Sequence, residues 1–247
     1  MRLKIGFRIG KWLVVASGVF ITIVCLPGNL PAQQPQRSNQ SEVNIMMNNV
    51  HWLGNSAIKI TGKKLIYIDP FKISSGEPAG IIFITHDHYD HLSMEDIRKI
   101  RTDRTIMVVP ESSEKMFGKN VRGVLPGMKF KIDDVEITVV PAYNIGKRFH
   151  PKEKQYVGYV IKTGGDTYYH AGDTDFIPEM NDIKTDVAFL PIGGTYTMNA
   201  EEAARAANII KPKVAVPIHY GTTVGTLKDI EEFKKLCKVN VVIPKKE

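Results

Sequence analysis

Three imidazoles and two carboxylates stand together in His86-Asp87-His88-Tyr89-Asp90-His91, directly after the apolar run Ile81-Ile82-Phe83-Ile84. Neutral imidazole is a preferred donor for Zn²⁺ and other first-row cations, and a carboxylate adds charge to the site. A histidine-rich stretch in a polar loop could simply be solvated, but four apolar residues read as a buried strand that ends by presenting these side chains. Two later residues share that setting. Asp173 follows the run Tyr168-Tyr169-His170, and His219 ends Val214-Ala215-Val216-Pro217-Ile218. Taken singly, Asp173 reads as a turn residue and His219 as a packed histidine. Taken together, three strand ends carrying donors can meet on one rim, as a catalytic site requires.

The elements that must position these residues are short strands and a few helices. Strand-like runs fall at 56–61, 64–69, 81–85, 105–109, 121–125, 135–141, 156–163 and 166–170, with Gly, Pro and Asp turns between them. Ser93 opens a helix with Asp96 three residues on, Asn199 opens Ala200–Ile210, and Thr226–Cys237 reads as another helix. Beyond residue 185 strands at 186–192, 214–218 and 239–243 alternate with helices. Strands and helices mixed in this way imply a layered α/β (α+β) architecture, with sheets inside and helices outside.

The His-x-His-x-Asp-His element, the Gly172-Asp173-Thr174 element and His219-Tyr220, in that order, resemble the metallo-β-lactamase superfamily of metallo-hydrolases over about residues 43–247. Trp52-Leu53-Gly54, Ile68-Asp69-Pro70 and Tyr169-His170-Ala171-Gly172-Asp173-Thr174 are further similar to the branch that includes L-ascorbate-6-phosphate lactonase and N-acylphosphatidylethanolamine phospholipase D. The resemblance implies a four-layer αββα sandwich. It also implies His86 and His88 on a first metal, Asp90, His91 and His219 on a second, and Asp173 bridging the two. Asp69 matches an early aspartate that supports the site without binding metal; it also reads as a plain strand-ending residue before Pro70.

The sequence departs from the family pattern at Asn144, where a third histidine for the first metal is usual. Either that site is weakened or another residue completes it, and His150 is the substitute at hand. Asn55 is a second departure, standing where several members of the branch carry histidine. His51 reads as a strand residue, and His170, one side of the strand away from Asp173, as core or supporting. The loop Gly193–Met198 should lie on the same rim.

Two divalent cations, Zn²⁺ or else Mn²⁺ or Fe²⁺, about 3.5–4 Å apart would lower the pKa of a shared water toward roughly 7. The implied reaction is attack of that metal-bound hydroxide on an ester, lactone or phosphoester, with Asp90 as ligand and as the residue that orients the water or accepts its proton. The alternative is a non-catalytic metal-binding member of the fold with an incomplete first site.

Arg2, Lys4, Arg8 and Lys11 precede the uncharged run Trp12–Leu26, the layout of a secretory signal with cleavage after Ala32. The other reading is an uncleaved anchor at residues 12–26; the protein is then exported or membrane-anchored. Residues 33–42 read as a flexible tether to a hydrolase domain at 43–247. The net charge of +7 is largely the leader's: without it 29 Lys and Arg face 26 Asp and Glu. A nucleic-acid partner is therefore not expected; the leader's place near a membrane makes a lipid-like substrate thinkable beside another small molecule, and the residues do not name which. Beyond the leader only Cys237 remains, as a buried thiol.

Overall fold

A computed structural model describes residues 40–221 and 224–247. The expected signal segment at 1–32 and most of the tether lie outside these residues. The end of the tether, residues 40–42, differs from expectation: it forms the first turn of α1 (Gln40–Met47). Polar Gln40-Ser41-Glu42 carries no apolar period, yet Val43 and Met46, three apart on one face, are buried in the core and hold the turn in place.

Among the described residues two sheets form. In the first, β1 (Val50–Gly54), β2 (Ala57–Ile60), β3 (Ile66–Ile68), β4 (Ile81–Phe83), β5 (Ile106–Pro110) and β6 (Val121–Val124) lie side by side in chain order. In the second, β7 (Lys129–Ile132), β8 (Val135–Pro141), β9 (Val157–Thr163), β10 (Asp166–His170), β11 (Val187–Pro191), β12 (Val214–Ile218) and β13 (Asn240–Val241) do the same. β3 to β6 run parallel, as do β10 to β13, so the C-terminal ends within each group point one way.

The period of two along each strand sorts side chains into layers. In β3, Ile66 and Ile68 enter the core between the sheets while Tyr67 faces outward; in β11, Val187 and Phe189 enter it while Ala188 and Leu190 face out. The outer face of the first sheet is covered by α2 (Met94–Ile100), through Ile97 and Ile100. The outer face of the second is covered by α3 (Ala200–Ile210) and α4 (Leu227–Leu236). The small side chains of Ala203, Ala204, Ala206 and Ala207 let α3 lie close to the sheet. The result is the four-layer αββα sandwich expected.

The caps follow the sequence signals. Ser93 accepts the Asp96 N–H at the start of α2, and Asn199 with Glu202 closes a reciprocal capping box on α3.

Candidate metal centre

Each chemical residue sits just beyond a strand. Asp69 follows β3, the 86–91 segment follows β4 by two residues, Asp173 follows β10 and His219 follows β12. Parallel pairing brings these C-terminal ends to one rim, where β-strand loops commonly build sites. The loop after β8 adds His150.

Three groups of donors converge, each with its atoms within 4.8 Å of one another: His86, His88 and His150; His86, His91 and Asp173; Asp90, His91 and His219. His88 Nδ1 lies 3.1 Å from His86 Nε2 and 3.1 Å from His150 Nε2. Asp173 Oδ2 is 3.9 Å from His86 Nε2, 3.5 Å from His150 Nε2 and 3.2 Å from His219 Nε2, while its Oδ1 is 3.3 Å from His91 Nε2. Asp173 thus faces both ends of the cluster.

The orientations show what these atoms lack. His91 Nε2, Asp173 Oδ1 and both ring nitrogens of His219 are buried without a hydrogen-bond partner among the described residues. Buried polar atoms are almost always satisfied, and leaving several orphaned in one place is costly. These atoms are close yet misaligned for bonding to each other, because they aim at common points between them. A divalent cation at such a point would satisfy them together, so the residues present fit metal ions.

A surrounding layer fixes the rings. Thr85 Oγ1 donates to Asp69 Oδ2 at 2.6 Å and, its one proton so used, accepts from His86 Nδ1 at 2.9 Å. His91 Nδ1 donates to Asp69 Oδ2 at 2.7 Å, and Asp69 Oδ1 accepts the Thr85 N–H at 2.8 Å. Both Nε2 atoms are left for the cluster, and Asp69 supports the site from behind. Asn144 accepts from His150 Nδ1 at 3.0 Å, which presents His150 Nε2 to His88 and Asp173. The position that departs from the family pattern therefore orients the histidine that joins His86 and His88 in one donor group.

Asn55 holds the other end. Its Nδ2 donates to Asp90 Oδ2 at 3.1 Å, and its carbonyl accepts the His219 backbone N–H at 3.0 Å and the Trp52 indole N–H at 2.9 Å. Asn55 has φ +49°, a left-handed conformation that asparagine tolerates better than most residues. Tyr156, buried beside His86, donates to Asp87 at 2.5 Å and steadies the loop between the first two histidines.

Charge divides the cluster in two. Burial drives the His150 imidazole down to about 4 and that of His86 well below its ordinary value, so both offer lone pairs at neutral pH. Burial also pulls on His219, but Asp173 beside it outweighs this and lifts it to about 9. In the same way Asp173 and Asp69 overcome the burial of His91 and raise it well above its ordinary value. Burial opposes ionisation of Asp90, yet His219 and His91 draw it down to about 2. An incoming cation would displace the imidazole protons held by these carboxylates.

A family profile described as beta-lactamase superfamily domain matches residues 49–219, spanning most of this framework. The chain belongs to that superfamily. It is 36% identical over 215 residues to a UPF0173 metal-dependent hydrolase of Pyrococcus furiosus, covering 79% of this chain and 96% of the relative. A relative of the same name from Staphylothermus marinus is 37% identical over 211 residues, covering 76% and 90%. Among solved structures, a chain from Parabacteroides distasonis superposes with a TM-score of 0.72 at 33% identity, covering 79% of this chain and 91% of that one. Igni18, a metallo hydrolase from Ignicoccus hospitalis, superposes with a TM-score of 0.66 at 26% identity, covering 78% and 93%. The fold and the family of metal-dependent hydrolases expected from the motifs are those found.

The structure brings His86, His88, Asp90, His91, Asp173, His219 and His150 into one cluster. It keeps two histidines out: His51 pairs with Glu247 at 3.0 Å, and buried His170 bonds the Ser56 carbonyl at 2.8 Å. The loop Gly193–Met198 does reach the rim, where the Tyr196 carbonyl accepts from Asn144 at 2.8 Å and its ring lines the cleft. Sequence reading assigned no role to Thr85, Tyr156 or the side chain of Asn55. Thr85 stood directly before the first histidine, which was a usable signal; Tyr156 carried none.

Proposed function

We propose that this chain is a dinuclear metal-dependent hydrolase acting on an ester, lactone or phosphoester. The observation that carries this reading is the place of Asp173 between His86 and His150 on one side and His91 and His219 on the other, with its Oδ1, His91 Nε2 and His219 Nε2 buried and unsatisfied among the described residues. His86, His88 and His150 would hold one ion, Asp90, His91 and His219 the other, with Asp173 common to both. Five imidazoles, two carboxylates and no thiolate suit Zn²⁺, and also Mn²⁺ or Fe²⁺. When bound, two such ions supply Lewis acidity and a nucleophilic hydroxide at neutral pH.

The chain's own residues do the rest. Asp69, Thr85 and Asn144 lock the tautomers of His91, His86 and His150. Asn55 holds Asp90 Oδ2 at the edge of the cleft, where Asp90 can orient a water and accept its proton. Tyr89, Phe149 and Tyr196 line the opening, and the buried position of His150, Asp173 and His219 beneath them would let fixed charges act strongly on an oxyanion developing there. The basic, apolar leader supports export, or attachment by residues 12–26, with a small-molecule or lipid-like substrate met outside the cytoplasm.

The test is metal analysis with an activity screen. About two ions per chain are expected, and His88→Ala or Asp90→Ala should abolish turnover while circular dichroism stays unchanged. Full activity in a thoroughly metal-stripped sample would overturn the reading.

A further inference from the structure

We infer that the cleft selects neutral carboxylic esters and lactones bearing an apolar or aromatic group, and discriminates against phosphate esters; this rests on the hydrolase reading above. The cleft measures about 250 Å³ and is lined by His88, Asp90, His150, Asp173 and His219 together with Tyr89, Phe149 and Tyr196. Every lining residue outside the donor cluster is aromatic. Phe149 and Tyr196 form an edge-to-face pair at 4.6 Å and 88°, which gives one wall a fixed apolar surface. Tyr89, 68% exposed, forms another part of the rim and meets the edge of Phe71 at 5.8 Å.

No Lys or Arg side chain lines the cleft among the described residues. Of the cations flanking the lining residues in sequence, Lys152 Nζ pairs with Glu179 at 3.1 Å. Lys147 Nζ is tied to Asp175 Oδ1 at 2.6 Å and to the Thr197 carbonyl at 2.7 Å, while exposed Arg148 lies beside the wall, 5.6 Å from the Phe149 ring centroid, and is not among the lining residues. Phosphoryl oxygens are ordinarily met by Arg or Lys forks or by converging backbone N–H groups. A carbonyl develops a single oxyanion and leaves its apolar substituent to the aromatic wall. The volume, below the roughly 300–1,000 Å³ usual for drug-sized ligands, admits a small ester. One water is consumed: its oxygen and one proton end in the carboxylic acid, the acyl carbon–oxygen bond breaks, and the other proton leaves with the alcohol.

The test compares metal-loaded protein on methyl 4-phenylbutyrate, methyl acetate and phenyl phosphate, with titration calorimetry of 4-phenylbutyrate as a separate readout. The phenylalkyl ester should exceed methyl acetate in kcat/KM by about tenfold, through KM, and Phe149→Ala or Tyr196→Ala should remove most of that preference. Binding of 4-phenylbutyrate should weaken in step in both variants. Phenyl phosphate turned over as well as the phenylalkyl ester, or a preference untouched by both substitutions, would overturn the inference. Turnover of none of the three would count against the hydrolase reading instead, and the calorimetry would still decide the cleft: unchanged binding in the variants overturns the aromatic wall, weakened binding supports it.

Discussion

Asn144 Oδ1 accepts both the ring Nδ1–H of His150 at 3.0 Å and its backbone N–H at 3.1 Å. The same amide donates to Asp175 Oδ1 at 3.1 Å and to the Tyr196 carbonyl at 2.8 Å, so it cannot rotate without breaking bonds on both sides. His150 is thereby held with Nε2 toward the cluster. Asn144→Ala should weaken metal binding at the His86, His88 and His150 group by about 10–100-fold, the usual cost of losing a partner that orients a ligand. Competition with a chelator reads this out, and Asn144→Asp, which keeps the acceptor, should recover part of the affinity. Parental affinity in the alanine variant would refute the orienting role.

Asn55 makes the complementary case at the other end. Asn55→Gly tolerates the φ of +49° while removing the donor to Asp90 Oδ2. Binding of the second ion should weaken by about tenfold or more, with the first left near parental strength. A two-step metal titration separates the two, and equal weakening of both steps would contradict the assignment.

Gly172, just before Asp173, has φ +65°, and a Cβ there would stand 2.9 Å from the Val157 carbonyl oxygen and 3.1 Å from Thr85 Cβ. Gly172→Ala combines a left-handed backbone with a clash against another strand. It should cost about 2–4 kcal/mol in urea unfolding of metal-free protein. A loss below 0.5 kcal/mol, roughly the noise of a surface change, would mean that the turn relaxes freely.

Burial pushes the Cys237 thiol up to about 12. In the unfolded chain it would ionise near 8.5, so between roughly 8.5 and 12 the unfolded state binds fewer protons and this group's contribution to stability falls as pH rises. At pH 8 a Cys25→Ser variant should react with a disulfide reagent at least about a hundredfold more slowly when folded than in denaturant. Comparable rates would place the thiol at the surface.

Much of this was legible from residue types and spacing. The alternating and continuous apolar runs marked most strands, and Ala200–Ile210 carried its cap, period and small-residue face in sequence. β7 carries no clear strand signal because Lys129-Phe130-Lys131-Ile132 is four residues long and half charged; those lysines are exposed on the last strand of the second sheet, where charge discourages pairing with another chain. The first turn of α1 was hidden because its reason lies in tertiary burial of Val43 and Met46. In the cluster, the imidazoles and carboxylates announced themselves by type. What could not be read was the choice between Asn144 and His150, since six residues of loop separate them and only the folded chain shows one bonded to the other.

The six-residue motif leaves the first sheet, whereas Asp173 and His219 leave the second. Any ion they grip is therefore also a clasp across the sandwich, with part of its hold anchored on either side. Chelation would unfasten that edge first, and amide exchange should quicken at Thr85 and Ala171 before it does in the middle of either sheet.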